Sequence, residues 1–252
     1  MKHPILHGTD GIRGKIGASP KTDLEALEAI VHRREVNGRA FMVIGEAIGQ
    51  ILAERFAQEG TKLSLLDIDY AGLKDTAKSI SEKCFHTPLI IKCDVSSEDQ
   101  VKTAIDKTIK EFGTVDVLLA NAGILNASKI LDTSVKRWDE VFNVNVRGVF
   151  LCAREVAPYL KEKGSGRIII ASSFAAVIPS VGSAAYAASK SAVASLTRVL
   201  AAELGPWNIT VNSYAPGMIP SDMSGIDKLD EDRKNEMLDT LCIREWGSAN
   251  DI

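Results

Sequence analysis

Tyr186 and Lys190 stand four residues apart in the stretch SAAYAASKSAV. On a helix that spacing puts both side chains on one face. A phenol titrates near pH ~10, too high for a base at neutral pH. An ammonium beside it is expected to favour the phenolate and lower that value. Such a pair is the outline of a proton-transfer device. In isolation it is more often surface decoration on a helix, so the elements around it decide its meaning.

Those elements alternate. Short runs rich in Val, Ile and Leu are expected as strands at Arg39–Ile44, Lys62–Asp67, Pro88–Lys92, Val115–Ala120, Arg167–Ala171 and Ile209–Tyr214. Most lack polar alternation, as befits strands covered on both faces. Between them, helices are expected at Ala47–Glu59, Ala71–Lys83, Glu98–Phe112, Lys136–Lys163 and Ala184–Leu204, the last stopped by Gly205 and Pro206. Strand–helix alternation implies right-handed crossovers and a doubly wound parallel sheet of the Rossmann type, with helices on both faces. Ligands bind such sheets at the carboxyl ends of the strands. Polar residues follow the strands in register: Asp67, then Asp94 with Val95, then Asn121, Ala122 and Gly123, then Ser172 and Ser173, then Pro216 and Gly217. Any one of these is ordinarily a helix cap or a turn, but five in register are hard to attribute to chance. An acid at the end of the second strand accepts from both ribose hydroxyls of a dinucleotide and repels a 2′-phosphate.

Composition removes other classes. The chain has 252 residues, 45% of them hydrophobic and 25% charged, with a net charge of -3. That gives no electrostatic case for nucleic acid or an anionic membrane, and no apolar run approaches a membrane span. Acidic residues among the first thirty argue against a transit peptide. Four scattered cysteines and four histidines form no metal-ligand pattern, so no metal is expected, and reduced thiols fit a cytoplasmic protein.

The motifs NAG at 121–123, NVNVRG at 143–148, SS at 172–173, YAASK at 186–190 and PGMIPSDM at 216–223, with Ser173 thirteen residues before Tyr186, resemble the short-chain dehydrogenase/reductase family. The similarity runs from about residue 38 to 252, so residues 38–252 read as one Rossmann-type domain in the sheet order 3-2-1-4-5-6. Residues 1–37 read as an extension outside the family. The resemblance implies an oxidoreductase that moves a hydride between a nicotinamide cofactor and an alcohol or ketone, with a 3-oxoacyl, polyol, cyclic or steroid-like substrate open. It implies that Ser173 orients the substrate and that Tyr186 is the acid/base. Lys190 would hold the nicotinamide ribose and tune Tyr186, and Asn145 would interrupt its helix and hold a relay water. The cofactor is expected along Gly45, Ile48, Gly49, Asp67, Asp94, Val95, Asn121, Ala122, Gly123, Tyr186, Lys190, Pro216, Gly217, Ile219 and Ser221, with NAD(H) preferred over NADP(H) through Asp67. A homodimer or homotetramer is implied, with no nucleic-acid or membrane partner.

Three departures from the family pattern qualify this. Counting back eighteen residues from Asp67 places the last glycine of the phosphate-binding turn at Gly49, its middle glycine falls on Ala47, and the strand running into Gly45 leaves about two residues missing. The cradle therefore reads as shortened. The sequence stops at REWGSANDI, where the family continues through a helix to another strand, so a missing last strand is expected. The segment HGTDGIRGKIG at 7–17 resembles the phosphate-binding segment of phosphohexomutases but has no companion motif, and residues 22–34 read as an amphipathic helix. The alternative left open is a catalytically impaired nucleotide-binding or interaction protein of the same fold.

Overall fold

The computed structural model describes residues 40–44, 48–84, 87–221, 223–241, 243–248 and 251. Residues 1–37, and Gly45 to Ala47 within the glycine turn, lie outside the described residues, and so do the expectations that fall on them.

Strand β1 (Ala40–Ile44) leads to helix α1 (Ile48–Gln58), then β2 (Lys62–Asp67), α2 (Tyr70–Lys83), β3 (Leu89–Lys92), α3 (Glu98–Phe112) and β4 (Val117–Ala120). After β4 come α4 (Val135–Phe142), a five-residue π-helical turn (Asn143–Arg147) and α5 (Gly148–Lys163). Then follow β5 (Gly166–Ala171), α6 (Ala184–Leu204), β6 (Ile209–Tyr214) and the short α7 (Glu231–Leu238). The six strands form one sheet in the order β3-β2-β1-β4-β5-β6, and every pairing is parallel. This is the expected Rossmann-type order. Among the described residues β6 pairs only with β5.

The core lies in two layers, one on each side of the sheet. One unites Met42, Leu66, Leu118, Ile168 and Ile170 with Val101 and Ile105 of α3, Leu151 and Val156 of α5 and Val193 of α6. The other unites Val43, Leu65, Leu119 and Ile169 with Leu52 and Phe56 of α1 and Leu73 and Ile80 of α2. Alternate residues of one strand thus enter opposite layers, which explains why β4 is buried at every position.

Local signals set several helix ends. Asp69 caps α2 by accepting from the backbone of Ala71. Helix α3 has Glu98 and Asp99 in its first turn and stops at Gly113, whose φ of 77° is left-handed. Helix α6 ends at Leu204 as expected, but the reversal is not made at Gly205. Its φ is -51°, a 3₁₀ turn carries on through Trp207, and Asn208 takes the left-handed conformation at φ 58°. The helix expected over 136–163 is divided in two by the π turn around Asn145, the interruption that the family resemblance implied. The registers Ile44↔Leu66, Ile44↔Ala120, Ala120↔Ile170 and Ala171↔Tyr214 bring the carboxyl ends of the central strands level. The polar residues after those strands therefore meet along one edge.

Candidate active site

Lys190 is 4% exposed. Its Nζ donates to the carbonyl of Ala171 at 2.8 Å and lies 5.7 Å from the centre of the Tyr186 ring. The carbonyl belongs to the last residue of β5, so the end of the strand fixes where the ammonium sits. Burial pulls the Lys190 pKa down to about 8. Tyr186 moves the opposite way to the expected one. Burial pushes its phenol above the ordinary value, and the hydrogen bond from Ser173 offsets this only in part. The ammonium is directed at a backbone carbonyl rather than at the hydroxyl, so desolvation wins. In this state Tyr186 is a protonated acid at neutral pH. Ser173 opens a 3₁₀ turn, and its Oγ accepts from the backbone of Ala175 at 3.2 Å.

Asn145 is fully buried in the centre of the π turn. Its Oδ1 accepts from the backbone N–H of Ile124 at 2.8 Å, and its Nδ2 donates to the Ile124 carbonyl at 3.0 Å and to Ser189 Oγ at 3.0 Å. Ser189 in turn donates to the carbonyl of Tyr186 at 2.7 Å. One amide therefore ties the loop after β4 to the turn of α6 that carries Tyr186 and Lys190. Both Nδ2 hydrogens are engaged, so the side chain works as a brace between these two segments. Ser189 was not among the expected site residues, although it sits inside YAASK. Gly123 lies against this group. A Cβ there would come 3.3 Å from both Lys190 Nζ and Asn145 Oδ1, tighter than an ordinary contact.

At the other end of the edge, Asp67 closes β2 and accepts from the backbone of Asp69 at 2.8 Å. Burial raises its pKa, against the backbone hydrogen bonds that lower it. An open groove of about 210 Å³ begins here, between α1 and α2, lined among others by Val43, Gly49, Asp67, Asp69, Gly72 and Asp75. Asp69 and Asp75 were not expected at the site. Nothing in a strand-end pattern marks the cap of the following helix or a residue within it. Between the two ends lies Asn121. Its Oδ1 accepts from the hydroxyl of Tyr214, and its Nδ2 stands 3.4 Å from where a Cβ on Gly49 would be.

The remaining expected residues divide. Asp94 follows β3, and its carboxylate turns back to accept from Ser96 N at 2.9 Å and Ser96 Oγ at 2.7 Å. Val95 packs into the core against Gly148, where a Cβ would stand 2.8 Å from Val95 Cγ2. The carbonyl of Pro216 accepts from Phe174 N at 3.0 Å, which brings the turn after β6 beside the Ser173 turn. A Cβ on Gly217 would meet nothing within 4 Å, so no neighbour requires glycine there. Ile219 is buried against Gly247, while Ser221 exchanges hydrogen bonds with Ser224 in its own turn. Ile48 is the first residue of α1, and Ala122 joins Asn121 to Gly123 after β4. Gly45 lies outside the described residues.

Residues 39–232 match the short chain dehydrogenase family. The chain belongs to that family. It is 36% identical over 208 residues to 3-oxoacyl-(acyl-carrier-protein) reductase FabG of Staphylococcus epidermidis, covering 81% of this chain and 83% of the relative. It is 36% identical over 201 residues to secoisolariciresinol dehydrogenase of Forsythia intermedia, covering 78% and 71%. Among solved structures it resembles NAD+-bound xylitol dehydrogenase, with a TM-score of 0.79 and 29% identity over 86% of this chain and 90% of the other. Levodione reductase is similar at a TM-score of 0.80 and 30% identity, over 84% and 86%. This short-chain dehydrogenase is accordingly an oxidoreductase that acts on CH–OH or ketone groups of small molecules with a nicotinamide cofactor. No helix among the described residues is long and apolar enough to cross a membrane.

Proposed function

We propose that this short-chain dehydrogenase is an NAD(H)-preferring alcohol dehydrogenase or ketone reductase in which Ser173, Tyr186 and Lys190 are the catalytic groups. The observation that carries the reading is the meeting of all three at the carboxyl end of β5. There Lys190 is buried on the Ala171 carbonyl and under the Tyr186 ring, and Ser173 touches the phenol. The cofactor fits the edge: a groove with an acid at its inner end lies beside Gly49, and Gly123 leaves room above Lys190 that a side chain would fill.

The bound nicotinamide supplies or accepts the hydride. The protein moves the proton. In ketone reduction the protonated Tyr186 hydroxyl donates to the substrate oxygen as negative charge develops on it, and Ser173 Oγ hydrogen-bonds the same oxygen. Lys190 stabilises the phenolate that Tyr186 becomes and donates to the cofactor's ribose with its remaining N–H groups. Asn145 braces the loop and the helix that hold these groups. Asp67 binds the ribose hydroxyls at the far end, with Gly49, Asn121, Ala122 and Gly123 along the cleft and Pro216 and Ile219 beyond Ser173.

The preference for NAD(H) is supported by three carboxylates, Asp67, Asp69 and Asp75, lining one groove, an environment that repels a 2′-phosphate. The solved xylitol dehydrogenase is NAD+-bound. Val177 and Val181, between Ser173 and Tyr186, are 85% and 93% exposed, which favours a ketone with an apolar body over a polyol. Half-exposed Phe150 on α5 and Val199 on α6 support a homodimer or homotetramer. The buried free thiols of Cys93 and Cys152 support a cytoplasmic setting. Residues 38–252 form the catalytic domain in this reading, with 1–37 outside it.

The test is titration with NADH and NADPH followed by intrinsic and cofactor fluorescence, then turnover with a panel of 3-oxoacyl, cyclic, steroid-like and polyol substrates. Saturable NADH binding with turnover of at least one ketone is expected. Absence of both overturns the proposal.

A further inference from the structure

Tyr214 ends β6, level with Ala171 at the end of β5, and its carbonyl accepts from Ser172 N at 2.8 Å. Its ring packs with the core layer that holds Val43, Leu119 and Ile169, the side of the sheet that carries α1. Its hydroxyl reaches across β5 to Oδ1 of Asn121, a residue 93 positions away at the tip of β4. Burial and the nearby Tyr186 hold the Tyr214 phenol well above its ordinary pKa, so it is protonated and donates to the Asn121 oxygen.

In that bond the Asn121 amide presents its oxygen to Tyr214. A carboxamide has an acceptor end and a donor end, and turning it over exchanges the two. With Oδ1 held by Tyr214, Nδ2 faces the start of α1, 3.4 Å from the Cβ position of Gly49. Gly49 also lines the groove that begins at Asp67. The NH2 group therefore lies beside a glycine that lines the acid groove. Without the phenol hydroxyl nothing in this contact would prevent the amide from presenting its oxygen instead, a poor match for a ligand rich in phosphate and hydroxyl oxygens.

We propose that Tyr214 is a positioning residue for the nicotinamide cofactor: its hydroxyl fixes the Asn121 carboxamide with the NH2 turned toward Gly49, where it serves as a hydrogen-bond donor to the bound cofactor. The inference rests on the cofactor reading above.

The test is NADH titration by fluorescence on the full chain and its variants, with the melting temperature of each cofactor-free protein measured beside it. Tyr214→Phe keeps the ring and its packing and removes only the hydroxyl. Its dissociation constant for NADH is expected to rise about 3–10-fold, the equivalent of one hydrogen bond. In steady state the effect should fall on the KM for NADH more than on kcat. Asn121→Asp preserves shape and an acceptor for Tyr214 but lacks the NH2, and should weaken binding at least as much. In an Asn121→Ala background, Tyr214→Phe should add nothing, because the two groups act as one. An unchanged dissociation constant in Tyr214→Phe, or its full effect persisting in the Asn121→Ala background, overturns the inference and leaves Tyr214 a packing residue. No saturation in the unsubstituted chain overturns the cofactor reading and this inference together.

Discussion

At the residue scale, the site turns on two buried groups with opposed tendencies. Tyr186 is held in its protonated form by burial, and Lys190 is held close to losing its proton by the same cause. Tyr186→Phe deletes the proton donor and leaves the packing intact. Turnover should fall by about 10²–10⁴-fold while the NADH dissociation constant stays within about twofold. Stopped-flow reduction and fluorescence titration read the two separately, and retained turnover would remove Tyr186 from the acid/base role. Lys190 makes a different prediction because its folded pKa, about 8, lies below the unfolded value near 10.5. Between those pH values the folded chain has released a proton that the unfolded chain keeps. Stability from this group therefore increases with pH across the window, by about 1.4 kcal/mol per pH unit at most. Lys190→Met removes the titration. The urea-unfolding free energy of the parent minus that of the substituted chain should rise from pH 7.5 to pH 9.5. A constant difference would mean that Lys190 is not desolvated as the structure shows. The Tyr186 shift acts in the opposite sense but only above pH ~10, so the window is clear of it.

At the element scale, the π turn explains both what the sequence revealed and what it concealed. Helices α3 and α6 have the bounds expected from sequence, and their ends are marked locally, by Gly113 for one and by the Gly205–Pro206 step for the other. The break between α4 and α5 is not written locally. It is maintained by Asn145, whose amide pairs with the backbone of Ile124, 21 residues earlier, and with Ser189, 44 residues later. Hydrophobic periodicity cannot register a partner at that distance, and it read residues 136–163 as one helix. Tyr214 escaped for the same reason, since a β-propensity residue at a strand end betrays nothing of a hydroxyl bonded across the sheet. The motif resemblance did carry Ser173, Tyr186, Lys190 and Asn145 to one place, but burial decided the direction of the Tyr186 shift. Asn145→Ala leaves the N–H and C=O of Ile124 without their partner. The expected cost is about 2–4 kcal/mol by urea unfolding, from two backbone groups losing hydrogen bonds. A loss under about 0.5 kcal/mol, the usual range of a neutral surface change, would show that the turn holds without its brace.

At the scale of the whole molecule, two core layers are separated by one sheet and share few side chains. The candidate site is built from both. Asp67, Gly49 and Asp69 belong to the half of the chain that carries α1 and α2, whereas Lys190, Tyr186 and Asn145 belong to the half that carries α5 and α6. A ligand lying along the carboxyl edge contacts both halves in the native state and neither in the unfolded chain. It should therefore stabilise the fold as a unit, by about 2.7 kcal/mol at a hundredfold excess over its dissociation constant. For a chain of this size that corresponds to roughly 5–10 °C in melting temperature. NADH is expected to give the larger shift at equal concentration. The three carboxylates of the groove repel an added 2′-phosphate, and no basic side chain among the described residues lines that groove to receive it. Asp67→Ala removes the carboxylate at the strand tip while leaving Asp69 and Asp75 in place. Its NADH shift should decline and its NADPH shift should rise, so that the gap narrows without reversing. Thermal unfolding with each cofactor at matched concentrations measures both. Equal shifts for the two cofactors in the unsubstituted chain would exclude charge repulsion at this groove as the basis of preference. A gap that survives Asp67→Ala undiminished would assign it instead to Asp69 and Asp75, at the cap and within α2 rather than on the strand.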